Sequence, residues 1–112
     1  MNKSSIYILI KDSVSTGHAV LAAAHASLSG YLTFRDYDLV SKVNIDEWVN
    51  TSFRKVICKV TESEFNEAKD YGVVGIDYRV MTESSLGNAE VAIVFKPRSN
   101  WEPFFKKLPL YK

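Results

Sequence analysis

Apolar residues in this chain fall into short runs of differing period, and the periods predict strands alternating with helices. Ile6-Tyr7-Ile8-Leu9-Ile10 is unbroken and rich in β-branched side chains, the pattern of a strand covered on both faces. It ends at Lys11-Asp12-Ser13, after which Ser15 or Thr16 caps a helix expected to run to about Leu32. From Thr33 to Phe53 the pattern weakens, which predicts a connection with a short helix around Asp46 to Asn50 and Trp48 as its buried anchor. Arg54 to Val60 reads as a second strand. Thr61-Glu62-Ser63-Glu64 has the spacing of a capping box and opens a short helix, which Gly72 is expected to end in the left-handed conformation. Val73 to Val80 and Glu90 to Phe95 read as two further strands joined by the polar loop Thr82 to Asn88. Asn100 is expected to cap a last helical turn through Phe105, with Pro103 tolerated in its first turn. The expected architecture is α/β: a single domain over residues 1-112, with a four-stranded mixed β-sheet flanked by α-helices.

Composition narrows the class without naming a function. A chain of 112 residues, 46% apolar and 24% charged, suits one folded domain with a modest core. The run Ile6 to Ile10 is too short for a membrane span of about 20 residues or for the core of a signal peptide, so a cytoplasmic protein with no membrane partner is expected. A formal net charge of +1 does not mark a nucleic-acid binder. Charge is unevenly spread, however, since Lys96, Arg98, Lys106, Lys107 and Lys112 near the end oppose only Glu102. That balance suits a small phosphate-bearing ligand at least as well as a large tRNA backbone. The single cysteine, Cys58, has no partner for an intramolecular disulfide and no metal-ligand spacing around it, and is expected to be a packing residue.

Candidate chemistry concentrates after the first strand. Both histidines, His18 and His25, fall two helical turns apart in the alanine-rich stretch Ser15 to Ala26, on a face shared with Ala22 and Ser29. Ligands in open α/β sheets sit beyond the carboxyl ends of strands, where helix N-termini offer free N–H groups, and this marks the loop from Lys11 through Thr16 and Gly17 to His18. There the helix macrodipole disfavours a protonated imidazole, while a bound phosphate would restore its proton. His18 is thus read as an acid, base or phosphate contact, with replacement of a surface lysine as the alternative. His25 has a structural alternative, a hydrogen bond to a neighbouring carbonyl. The two do not make a metal site, because Cα atoms about 10 Å apart along a helix exceed the H-x-x-x-H spacing of zinc ligands. Thr82 brings a hydroxyl to the later loop, with Ser84 and Ser85 beside it, although such hydroxyls also bind their own backbone in turns. Of Tyr78 and Arg79, strand alternation lets only one face a ligand.

Several of these segments also carry a family pattern. Gly17, Ala24, His25 and Ala26 stand at matching positions of a helix reading G-K-x-A-A-Q-x-x-H-A after a first strand. Trp48 to Val60 looks like W-x-x-x-G-Q-x-K-V-V-x-K-V without a gap. Met81-Thr82-Glu83-Ser84-Ser85-Leu86-Gly87 is similar to D-A-G-x-T-E-x-x-x-G-T from the threonine onward, and Leu108-Pro109-Leu110-Tyr111 to an L-K-L-Y ending. In these segments the chain resembles the archaeal and eukaryotic (type 2) peptidyl-tRNA hydrolases. The resemblance implies their mixed-sheet fold and hydrolysis of the ester between a peptide and tRNA. It also implies a rebuilt site, because the family's lysine is His18 here, its glutamine Ala22 and its aspartate Tyr78, and Thr82 alone keeps its residue type.

The expected site therefore has His18, Thr82 and His25 as catalytic groups and Lys11, Thr16, Gly17, Ala22, Tyr78, Arg79 and Ser84 as ligand contacts, with no metal and no cofactor. Three functions compete: hydrolysis of peptidyl-tRNA or a related nucleotide-type ester, metal-independent cleavage of a small or cyclic oligonucleotide by a homodimer, and sequestration of such a ligand without turnover. The expected partner is tRNA or a small nucleotide.

Overall fold

Alternation of side chains along the first strand decides how the layers form. In the computed structural model, which describes residues 4–112, strand β1 (Ser5–Lys11) turns Ile6, Ile8 and Ile10 to one face and Tyr7 and Leu9 to the other. Both faces are covered, so the run has no polar alternation. β1 pairs in parallel with β2 (Arg54–Val60) and antiparallel with β4 (Ala89–Arg98), and β3 (Tyr78–Glu83) pairs antiparallel with the far side of β4. The sheet order is β2-β1-β4-β3. A parallel pair requires a crossover, and helices α1 (Thr16–Tyr37) and α2 (Leu39–Asn50) supply it on the isoleucine face. The opposite face carries α3 (Glu62–Ala68), a 3-10 turn at Lys69–Tyr71, and α4 (Pro103–Lys106). Among the described residues the result is a single α/β domain with a four-stranded mixed sheet and four α-helices. No helix among them is long and apolar enough to cross a membrane.

The two cores differ in texture. On the α1 side, Ala19, Ala22, Ala26 and Gly30 are buried, and their small size lets the helix lie close to the sheet. At Gly30 the approach is so close that an added Cβ would stand 2.9 Å from Val94 Cγ2. The other core is aromatic: Tyr7 and Trp101 have ring centroids 4.5 Å apart, and Phe105 meets both Phe95 at 5.0 Å and Trp101 at 4.9 Å in edge-to-face contacts, a favoured geometry for aromatic quadrupoles. Cys58 is fully buried there, and burial together with the Glu64 carboxylate pushes its thiol up to about 11. It is a packing residue.

Several boundaries differ from those the sequence predicts. α1 continues past Leu32 to Tyr37, and most of the expected connection is α2. α2 buries only Ile45 and Trp48, too few for a clear helical period, while Asp38 caps it by accepting from Ser41 N at 2.7 Å. β3 begins at Tyr78, because Val73 to Asp77 form a turn in which Asp77 Oδ2 accepts from Val73 N at 2.8 Å. Gly72 is extended rather than left-handed, with φ 175°. Its lack of a side chain serves space, since a Cβ there would meet Asp77 Cβ at 2.6 Å. Glu102, not Asn100, stands at the N-cap of α4.

Candidate functional site

The end of β1 and the start of α1 bring the first group of polar side chains together. A tight loop, with Val14 N donating to Lys11 O at 3.2 Å, delivers Ser15 in extended conformation to the N-cap of α1, where its Oγ accepts from His18 N at 3.4 Å. The same Oγ lies 3.0 Å from His18 Nδ1. On the other side of the ring, Nε2 lies 3.1 Å from Ser85 Oγ. Ser85 arrives there because β3 ends at Glu83 and the chain folds through a 3-10 turn, Ser84–Leu86, closed by left-handed Gly87 at φ 67°. The turn returns Ser85 onto Glu83, so that Ser85 N and Oγ donate to Glu83 Oε2 at 3.0 and 2.9 Å.

The protons along these hydrogen bonds run in one direction. The two hydrogen bonds from Ser85, with the nearby His18 and His25, hold the Glu83 carboxyl below its usual range, so the group is ionised and only accepts. The Ser85 proton is committed to it, and Ser85 Oγ must therefore accept from His18 Nε2–H. In the neutral imidazole the lone pair is then on Nδ1, facing the Ser15 hydroxyl. A hydroxyl on an imidazole lone pair, with that imidazole oriented by a further polar group, is the arrangement that activates a nucleophile. A hollow of about 410 Å³ opens beside it, walled by Val14, Leu86 and Val91 and including Ser15 and His18.

A second hollow, of about 580 Å³, runs farther along α1 against the outer side of β3. His25, Ser29 and Thr33 contribute from the helix, Arg79 and Thr82 from the strand, with Leu28 and Leu32 as apolar wall. Arg79 Nη1 donates to Thr33 Oγ1 at 3.3 Å. His25 and Thr82 are exposed. His18 and His25, one from each hollow, both act to lower the Glu83 carboxyl.

The expected residues thus divide. His18 and Thr82 do not share a hollow: Thr82 lies with His25 and Arg79, and His18 with Ser15 and Lys11. Thr16 and Gly17 are exposed at the first turn of α1, and Ser84 is exposed at the start of the 3-10 turn. Lys11 is engaged away from the histidine, 3.1 Å from Glu62 Oε1 and over the Phe65 ring at 4.7 Å. Two candidates offer no surface to a ligand. Ala22 is buried against the sheet, and Tyr78 points into the aromatic core with its ring 5.3 Å from that of Phe95; alternation then turns Arg79 outward. Sequence marks Ser85 only as a loop hydroxyl beside Thr82 and gives Glu83 no role. A carboxylate two residues before a serine at a strand end is a local cue, but the contact between Ser85 and His18 spans 67 residues and leaves no local pattern. Among the described residues, no group of three or more His, Cys, Asp or Glu side chains could hold a metal ion. No family model matches the chain, and no curated protein matches it.

Proposed function

We propose that this chain is a hydrolase of an RNA- or nucleotide-type ester, similar in fold to the type 2 peptidyl-tRNA hydrolases, with a rebuilt site in which Ser15 and His18 do the chemistry. The observation that carries the reading is the continuous hydrogen-bonded chain from Ser15 through His18 and Ser85 to Glu83. As Ser15 Oγ bonds to the acyl carbon, its proton passes to His18 Nδ1. The carbon–oxygen bond to the ribose then breaks, and the ribose oxygen takes that proton from Nδ1. Water repeats the sequence in the second half, giving up a proton to Nδ1 as it attacks the acyl-serine and releasing the acid and free Ser15. Glu83, through Ser85, holds the ring in the required tautomer and stabilises the imidazolium. His25, Thr82 and Arg79 bind the substrate's phosphate in the neighbouring hollow.

The test is turnover of peptidyl-tRNA, run in chelator beside cyclic and linear dinucleotides. His18→Ala should lower the rate by about 10²- to 10⁴-fold, the usual contribution of a positioned general base. Ser15→Asn keeps a good helix cap and should lose turnover as fully. A His18→Ala protein with undiminished turnover defeats the proposal. A second reading, cleavage or sequestration of a small cyclic oligonucleotide, draws support from the hollow that presents Arg79, His25 and Thr82 together. Phosphodiester cleavage, or tight binding without turnover, in the dinucleotide arm would favour it, and a homodimer belongs to that reading.

A further inference from the structure

Phe53 adopts a backbone conformation that aromatic residues avoid. Its φ is 51°, in the left-handed region that a bulky L-residue enters only at an energetic cost. It stands just beyond α2, with its N–H donating to Trp48 O at 2.7 Å, at a helix end where glycine usually supplies a positive φ. The ring is not hidden in return, since Phe53 is 52% exposed. One edge leans on the buried indole of Trp48, with centroids 5.0 Å apart at 45°. Lys55 Nζ stands 3.2 Å from the ring centroid and donates to Phe53 O.

Beside the ring is a hollow of about 480 Å³ walled by Phe53, Trp48, Tyr31 and Leu28. Leu28 is also a wall of the hollow that holds His25, Arg79 and Thr82. One leucine thus separates a ledge of aromatic rings from a groove lined by Arg79, His25 and hydroxyls. Base faces stack on aromatic rings in a sequence-tolerant way, and basic side chains track the backbone beside them. We infer that Phe53, by the face that Lys55 does not cover, is the stacking platform for a base of a single-stranded nucleotide ligand, which crosses Leu28 with its phosphate at Arg79 and His25. The inference rests on the nucleotide reading of the site and names the form of substrate that it takes. Lys55 favours this occupant over an apolar protein surface: a phosphodiester would pair with the ammonium, whereas an apolar partner would strip its remaining water and leave it only the Phe53 ring and carbonyl.

The experiment uses a fluorescein-labelled adenosine hexaribonucleotide, anisotropy titration and thermal melting. Phe53→Gly frees the backbone of its strain, so its melting temperature should rise, while affinity for the hexamer should fall by about tenfold or more, the loss of one base–aromatic stack. Phe53→Trp should keep the affinity. A Phe53→Gly protein that binds as wild type, or that melts lower than wild type, overturns the inference; the second result would mean that the ring is held for packing. Self-association that Phe53→Gly abolishes, with hexamer binding intact, would assign the ledge to a second copy and also overturn it. Wild-type protein that binds no hexamer at all would also overturn the inference, and turnover of peptidyl-tRNA or dinucleotides by that same protein would show that the nucleotide reading stands, which separates the two failures.

Discussion

At Gly30 a single hydrogen atom in place of a methyl decides how closely α1 approaches the sheet. A Cβ there would meet Val94 Cγ2 at 2.9 Å and Cγ1 at 3.3 Å, and Val94 is fully buried, so it has no free space to retreat into. Gly30→Ala should therefore destabilise the protein by about 1–3 kcal/mol through overpacking, despite the better helix propensity of alanine, and urea unfolding would measure it. The same scale shows what individual letters reveal. Period-two alternation was enough to put Tyr78 and Arg79 on opposite faces, but not to say which face was core; that followed from Phe95 on the neighbouring strand. His18 announced itself by type and position at a helix start. Its partner Ser85 did not, because a hydroxyl gains meaning only from what it touches.

Elements were legible where their own residues held the signal. β1 was visible because both its faces are covered, and α3 because Thr61 and Glu64 satisfy each other's backbone N–H groups at 3.1 and 2.9 Å without outside help. Most of α2 leaves no sequence signal because its stability comes from two buried anchors and from packing on α1, which carry little periodicity. The start of β3 departs from the one the sequence predicts, since Val73 and Val74 have strand-forming side chains yet are mostly exposed, at 56% and 61%. There the Asp77 side chain and Gly75, at φ 85°, favour a turn over local β propensity. In the first turn of α1, Gly17 contrasts with Gly30, because an added Cβ would meet nothing within 4 Å. Gly17→Ala should accordingly raise stability by about 0.5–1 kcal/mol, read as a higher urea midpoint, with the Ser15 cap unchanged.

Across the whole molecule, carboxylates tie together segments that are distant in the fold's wiring. Burial works to raise the Asp77 carboxyl, but Lys96 Nζ at 2.8 Å and the Val73 N–H at 2.8 Å outweigh it and hold it below its ordinary value. A carboxyl lowered on folding stabilises the protein above its unfolded-state value, and that contribution is lost as pH falls through the lower, folded-state value. Stability should thus be flat from neutral pH down to about 5 and decline below about 4, the unfolded carboxylate range. Urea midpoints measured across that interval should show the decline, and Asp77→Asn should make it shallower. A decline confined to the neutral range would contradict this account. The C-terminal tail contributes at the same scale: Lys59 N donates to Pro109 O at 3.0 Å and Tyr111 N to Ile57 O at 2.8 Å, which covers the outer edge of β2 and leaves fewer open backbone groups there for stray pairing.

By itself the sequence determined the α/β class, the buried first strand, the helix that carries both histidines, and the capping box, since each is written in interactions between residues a few positions apart. Only the tertiary structure decided that Ala22 and Tyr78 belong to the core, that His18 and His25 line separate hollows, and that Glu83 reaches His18 through Ser85. The physical reason is range. Helix periods, caps and turns are fixed by neighbours along the chain, whereas a hydrogen bond across 67 residues exists only once the sheet has set β3 beside α1.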